Sequence, residues 1–191
     1  METQQLDAAR TGLRDDGLAP VRHAIERVET VLRRRPDMGL HDDAAATVRW
    51  SAGTQVVAHH DNGTAIATDM PTELGGRGDR VTPGWLFRAG LASCAATCIA
   101  MKAAAEGVSL ATLEVQAKSR SDTRGLLAMT DEQGADVFAG PLDMSLAVRI
   151  GAPGVDGERL RGLVDAALRC SPIPVAVRSA TPVALSIVVD A

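Results

Sequence analysis

Thr82-Pro83-Gly84-Trp85-Leu86-Phe87-Arg88-Ala89-Gly90-Leu91-Ala92-Ser93-Cys94 begins the stretch that decides the fold. Thr82 is a residue type that accepts hydrogen bonds from the free amides of a first helical turn. Pro83 suits the first helical position, where its missing N–H would be unpaired anyway. The helical pattern then continues to Glu106-Gly107, where a glycine supplies the stop. Ten residues between Ala89 and Ala105 are Gly, Ala or Ser. Side chains this small let another backbone come close, so the spacing predicts a central helix packed against a second one. Its most apolar part, residues 89–101, is flanked by Arg88 and Lys102 and is 13 residues long. A bilayer needs about 20, so the stretch reads as a buried helix and no membrane partner is expected.

Strand signals lie on both sides of this helix. Upstream, Ala46–Ser51, Thr54–His60 and Thr64–Thr68 are strand-like, with Asp61-Asn62-Gly63 a hairpin turn that tolerates positive φ. Pro71-Thr72-Glu73-Leu74-Gly75-Gly76-Arg77-Gly78 is a Gly-rich loop. Downstream, Val108–Ser119 alternates as a strand and residues 122–141 form a polar loop. Met144–Ile150 is a further strand, Asp156–Arg169 a helix, and Val183–Val189 a closing strand. This order predicts an α+β domain over residues 46–191. Residues 1–45 read as an N-terminal helical extension. There Leu18, Val21, Ile25, Val28 and Leu32 form one apolar stripe, and Pro36 ends it.

The 191 residues are 46% hydrophobic and 23% charged, enough to build a core. The aromatic residues are Trp50, Trp85, Phe87 and Phe138, with no Tyr, which excludes platforms that stack bases. A net charge of -4 likewise argues against nucleic acid as a partner. The opening Met1–Arg10 has no apolar run, so no secretory signal is expected. Three cysteines, Cys94, Cys98 and Cys170, are too few and odd in number for a secreted disulfide scaffold. The cytoplasm is the expected compartment.

Several motifs have plain readings. Arg77-Gly78-Asp79 is an accidental adhesion tripeptide. Gly76-Arg77-Gly78 lacks the third glycine and preceding strand of a dinucleotide loop. His59-His60-Asp61 could feed a metal site, but neighbouring strand residues face opposite ways, so a surface hairpin end is favoured. No Gly-x-Ser-x-Gly elbow is present. No cofactor and no metal are therefore expected. The cysteines stay open: Leu86, Gly90, Cys94, Cys98, Met101 and Ala105 share a helix stripe, and the thiols there are either packing or redox groups.

The stretch from Thr82 to Cys94 resembles the hallmark of the OsmC/Ohr family of osmotically inducible and organic-hydroperoxide-resistance proteins. In that family an Asn/Thr-Pro dipeptide opens a long helix, with the reactive cysteine eleven residues after the proline, as Cys94 is here. The Asp61-Asn62-Gly63 turn and the Pro71–Gly76 loop are similar to the family's approach to that helix. Ser121-Asp122-Thr123-Arg124-Gly125-Leu126-Leu127 is similar to a segment of one OsmC-like branch. Ser171-Pro172 falls at the second motif. The resemblance covers about residues 46–190. It implies an OsmC-like fold, with antiparallel sheets wrapped around two long central helices in an intertwined homodimer.

For activity, the resemblance implies a thiolate that attacks an organic hydroperoxide, a second cysteine that forms a disulfide with the product, and a dithiol reductant. Cys94 matches the attacking cysteine. Two positions differ from the active pattern. Gly84 stands where active members carry Glu, and Ser171 stands at the second cysteine, with Cys170 one residue earlier. Cys94 is expected to attack and Cys170 to resolve, while Cys98 stays free because i and i+4 Cβ atoms lie too far apart for an unstrained disulfide. Leu86, Phe87, Ile99 and Met101 are candidates to meet an apolar peroxide. A nucleophilic thiol must ionise below the free value of about 8.5, so Arg49, Arg77, Arg80 or Arg88 is expected near the sulfur. Two further readings stand beside the thiol peroxidase: a non-catalytic protein holding a small apolar ligand in the dimer cleft, and a dimer whose cysteines only pack.

Overall fold

The structure, a computed structural model, describes residues 17–190. The expectation of no secretory signal falls on Met1–Arg10, outside these residues, as does the extension before Gly17. Within the described residues lie five helices and five strands. They divide between two compact units, one formed by residues 28–93 and 115–148, the other by the described residues up to Arg27, 94–114 and 149–190.

The first unit holds a three-stranded antiparallel sheet of β1 (Thr47–Ala52), β2 (Gln55–His59) and β3 (Ala65–Thr68). Thr47 faces His59 and Val56 faces Thr68, with a bulge between Trp50 and Ala52. The predicted Asp61-Asn62-Gly63 turn is present: the Asn62 side-chain oxygen accepts from the Thr64 amide at 2.9 Å. The Asn62 amide donates to Nδ1 of His60 at 3.0 Å, so this histidine serves its own turn. Among the described residues no cluster of three metal-ligating side chains occurs.

After β3 the chain reaches Asp69, which is 1% exposed. Its carboxylate accepts from the Thr54 hydroxyl at 2.6 Å and from the amides of Met70 (2.8 Å) and Arg77 (3.0 Å). These donors, the Thr54 hydroxyl foremost, hold its pKa below the usual carboxylate value. The Gly-rich loop is thus tied back on a buried anion. Gly76 must be glycine there, because a Cβ would overlap the Met70 carbonyl.

Helix α2 spans Pro83–Ala105, and the Thr82 hydroxyl accepts from the Trp85 amide at 3.1 Å, as its sequence predicts. Gly107, at φ +66°, ends it in the left-handed region that favours glycine. Leu91, Ala95, Ile99 and Ala103 recur every fourth residue and are buried. By length and composition α2 is long and apolar enough to cross a membrane, with mean hydropathy 1.3; one stripe of it, Leu91 to Ala103, is buried in the chain.

Strands β4 (Thr112–Arg120) and β5 (Leu142–Gly151) form a two-stranded sheet. Between them the predicted loop 122–141 carries a short helix, α3 (Thr123–Leu126), with Asp122 as its cap and a bidentate partner of Arg124. In the second unit, the amphipathic α4 (Gly157–Arg169) buries Leu160, Leu163 and Ala167, and α5 (Pro172–Ser179) follows directly. Helix α1 (Leu18–Arg34) covers the predicted stripe: Leu18, Val21, Ile25 and Leu32 are half-buried, and Val28 is exposed.

One predicted element is absent. Val183–Val189, expected as a closing strand, pairs with no other segment and has no regular structure. Its composition suits a strand, but a strand needs a neighbour to satisfy its amides and carbonyls, and none of the described residues supplies one. Val183, Leu185, Ile187, Val188 and Val189 are between 74% and 93% exposed.

Candidate functional site

Cys94 lies in α2 beside the buried Leu91–Ala103 stripe and is half-buried. One helical turn on, Cys98 is also half-buried. The residue that meets them is Ser171, which is 0% exposed. Its Oγ lies 3.3 Å from the Cys94 sulfur. While Cys94 is a thiol either atom can donate; once the sulfur is ionised, only the hydroxyl can.

The backbone explains why Ser171 is available. Ser171 is the cap residue of α5, where a serine hydroxyl ordinarily accepts from the amide two or three residues on. Here it makes no such bond. Pro172 opens the helix and Pro174 occupies its third position, where proline offers no N–H. Pro174 removes the amide three residues on, the Ile173 amide two residues on is left uncapped, and the buried hydroxyl meets the Cys94 sulfur instead.

Cys98 differs from Cys94 in its electrostatics. Burial, first, pushes its thiol pKa up, and nearby Cys94 and Cys170 add to the rise, while the Ser171 hydroxyl offsets part of it. Cys98 therefore stays a neutral thiol at physiological pH.

Cys170 and Cys94 are not brought into contact in this arrangement. Cys170 caps the end of α4 and is exposed. Its sulfur points back along its own helix, with the Ala167 carbonyl at 3.3 Å and the Ala166 carbonyl at 3.5 Å. Ser171 takes the place beside Cys94 instead. All three cysteines are free thiols.

The candidate arginines have their own surroundings. Arg88 donates to the Ser119 hydroxyl at 3.4 Å, Arg77 and Arg80 both flank Asp79, and Arg49 sits in β1 opposite Val57. Of the residues expected to meet an apolar substrate, Phe87 and Met101 are exposed and Leu86 is half-buried. Ile99 is corrected: it is 0% exposed, because it belongs to the Leu91–Ala103 stripe that builds the core. Ser171, which motif reading places at the second-cysteine position, is the residue that meets the Cys94 sulfur; that contact joins residues far apart in the sequence and has no local signal.

The profile of the OsmC-like protein family matches residues 76–186. No curated protein matches the chain. Among solved structures, an OsmC-like protein from Mycoplasma pneumoniae has a TM-score of 0.60 at 16% identity, covering 73% of this chain and 89% of the other. A protein from Psychrobacter arcticus, described as a putative osmotic stress induced and detoxification response protein, has a TM-score of 0.56 at 18% identity, covering 72% and 90%. An organic hydroperoxide resistance protein from Legionella pneumophila has a TM-score of 0.52 at 23% identity, covering 73% and 91%. At these identities the likeness is one of fold. The profile extends over more than half of the sequence, including the whole of α2 and the Ser171 turn, and on that ground the chain belongs to the OsmC-like protein family.

Proposed function

We propose that the chain is a thiol peroxidase that reduces organic hydroperoxides through Cys94, using a thiol reductant, in the cytoplasm. The observation that carries this is the buried Ser171 hydroxyl 3.3 Å from the Cys94 sulfur. A hydroxyl held there can donate to a thiolate, which stabilises the nucleophilic form. The Cys94 sulfur attacks the terminal oxygen of the hydroperoxide; an S–O bond forms as the O–O bond breaks. The departing alkoxide takes up the proton that the thiol gave to solvent, so the products are an alcohol and Cys94 sulfenic acid. Dithiols complete the cycle by returning two electrons and releasing water. Exposed Met101, in the same unit as Cys94, offers apolar surface for an alkyl or aryl substituent.

The working form in this proposal is a homodimer. The unpaired apolar segment Val183–Val189 supports it, because five large side chains so exposed on one segment call for cover by a second copy. The small-residue face of α2 supports the same reading. A second function is favoured by a separate observation: Ser171 stands at the position of the second cysteine, which suits a protein that holds a small apolar ligand without turnover.

Consumption of cumene hydroperoxide and of hydrogen peroxide with dithiothreitol separates the two. Wild type should consume the organic peroxide faster than hydrogen peroxide, and Cys94→Ser should not exceed the buffer rate. Equal, buffer-level rates for wild type and Cys94→Ser would overturn the peroxidase reading in favour of ligand binding. Light scattering on the same sample should give twice the chain mass; a folded monomer at micromolar concentration would refute the dimer.

A further inference from the structure

Ser171 has a consequence for how an oxidised Cys94 is returned to its thiol. Three groups could meet a sulfenic acid there. Ser171 is the one in contact, and a hydroxyl cannot form a disulfide. Cys98 lies one turn away on the same helix, a spacing that sets Cβ atoms about 5–6 Å apart against the roughly 3.8 Å that a disulfide wants. Its thiol also stays protonated, and the neutral thiol is the poor nucleophile of the pair. The Cys170 sulfur is turned onto the carbonyls of Ala166 and Ala167, while the Cys94 sulfur has the Ser171 hydroxyl as its partner. Ser171 is also fixed in place: it is fully buried, and Pro172 and Pro174 restrict the backbone that follows it.

We propose that Ser171 makes Cys94 a single-cysteine centre, whose oxidised form is resolved by a low-molecular-weight thiol from outside the chain. This rests on Cys94 being the peroxide-attacking thiol. The attack leaves Cys94 as sulfenic acid, with the Ser171 hydroxyl as its hydrogen-bond partner. A small thiol then attacks the Cys94 sulfur, the hydroxyl leaves as water with the thiol's proton, and a mixed disulfide forms. A second molecule of the thiol attacks the small-molecule sulfur; Cys94 is released as a thiol and the reductant leaves as its own disulfide. Two external thiols are oxidised for each hydroperoxide reduced to alcohol. Ser171 is a positioning residue in this cycle, since it touches the reacting sulfur but changes no bond.

The test treats the full-length protein with one equivalent of cumene hydroperoxide, with dimedone or glutathione present, followed by peptide mapping. In wild type, dimedone should label Cys94, and glutathione should give a mixed disulfide at Cys94 with Cys98 and Cys170 left as free thiols. In Ser171→Cys, which is close in size and keeps the turn, dimedone labelling should be lost and Cys94 should be linked to the introduced thiol. A wild-type disulfide from Cys94 to Cys170 or to Cys98 overturns the single-cysteine assignment while leaving peroxide attack at Cys94 intact. Peroxide that leaves Cys94 unmodified in both proteins instead overturns the peroxidase reading, and this assignment with it.

Discussion

Two helices in this molecule begin with a hydroxyl residue followed by proline, and they use the hydroxyl in opposite ways. At α2, Thr82 caps its own helix by accepting from the Trp85 amide. At α5, Ser171 makes no cap bond and meets Cys94. The third helical position decides between them. It is Trp85 in α2, with an amide to offer, and Pro174 in α5, with none. The same dipeptide is therefore a stability device in one place and a site residue in the other. What distinguishes them is a residue three positions on, together with burial: Ser171 is fully enclosed, while Thr82 lies partly at the surface.

The comparison breaks most completely if the sulfur served by Ser171 is removed. Cys94→Ser should abolish peroxide-dependent oxidation of dithiothreitol, leaving only the buffer rate, with thermal unfolding little changed because the replacement is of similar size. Next in size is restoring the missing amide at α5. Pro174→Ala gives Ser171 a cap partner that competes with Cys94. Since a hydrogen bond to a charged group contributes about 1.5–3 kcal/mol, and about 1.4 kcal/mol is a factor of ten, oxidation of Cys94 by cumene hydroperoxide near neutral pH should slow by about tenfold or more. An unchanged rate would show that the hydroxyl does not assist the sulfur. Pro174 is buried, so a urea unfolding curve must accompany the rate.

The difference between these two helix starts also marks what was legible in the sequence. The three N-terminal strands, α2 with both its ends, α4 and the Asn62-Gly63 turn follow from local periodicity and turn chemistry, and they stand where those signals put them. Local signals failed where the deciding partner is far along the chain or absent from it. Val183–Val189 has a strand's composition but pairs with no strand among the described residues. Ile99 was a candidate to meet an apolar peroxide, whereas its phase on the helix puts it with Ala95 and Ala103 in the core. Cys94 was singled out by the resemblance of Thr82–Cys94 to the OsmC/Ohr hallmark, not by local periodicity. Its contact with Ser171 joins residues far apart in the sequence and depends on Pro174 lacking a donor.

A smaller effect is expected at the other helix start. Thr82→Ala removes the cap of α2 and should cost about 1 kcal/mol of folding stability, read as a lower urea midpoint with an unchanged slope. The rate of Cys94 oxidation should stay at the wild-type value, because Thr82 is three helical turns away along α2. If Thr82→Ala slows that rate as much as Pro174→Ala does, the distinction between a capping hydroxyl and a site hydroxyl fails.

The smallest effect sharpens the comparison with a third helix start. At α4 the cap is Asp156, whose side chain accepts from the Arg159 amide at 2.9 Å. That bond, first among several backbone contributions, lowers the carboxyl pKa below its ordinary value. A carboxylate whose pKa is lower in the folded chain adds stability above its unfolded value, about 3.9, and loses it as pH falls through the folded value. Asp156→Asn keeps an oxygen that can cap but removes the charge that favours a helix start. Near neutral pH, wild type should therefore have a slightly higher urea midpoint than Asp156→Asn, and the gap should close in acid. The Thr82→Ala gap should not close through the same range, because a hydroxyl cap does not ionise. Measuring both variants across pH separates a cap that works by charge from one that works by a neutral hydrogen bond. A gap for Asp156→Asn that persists below the folded pKa would mean that the carboxylate charge contributes nothing at α4.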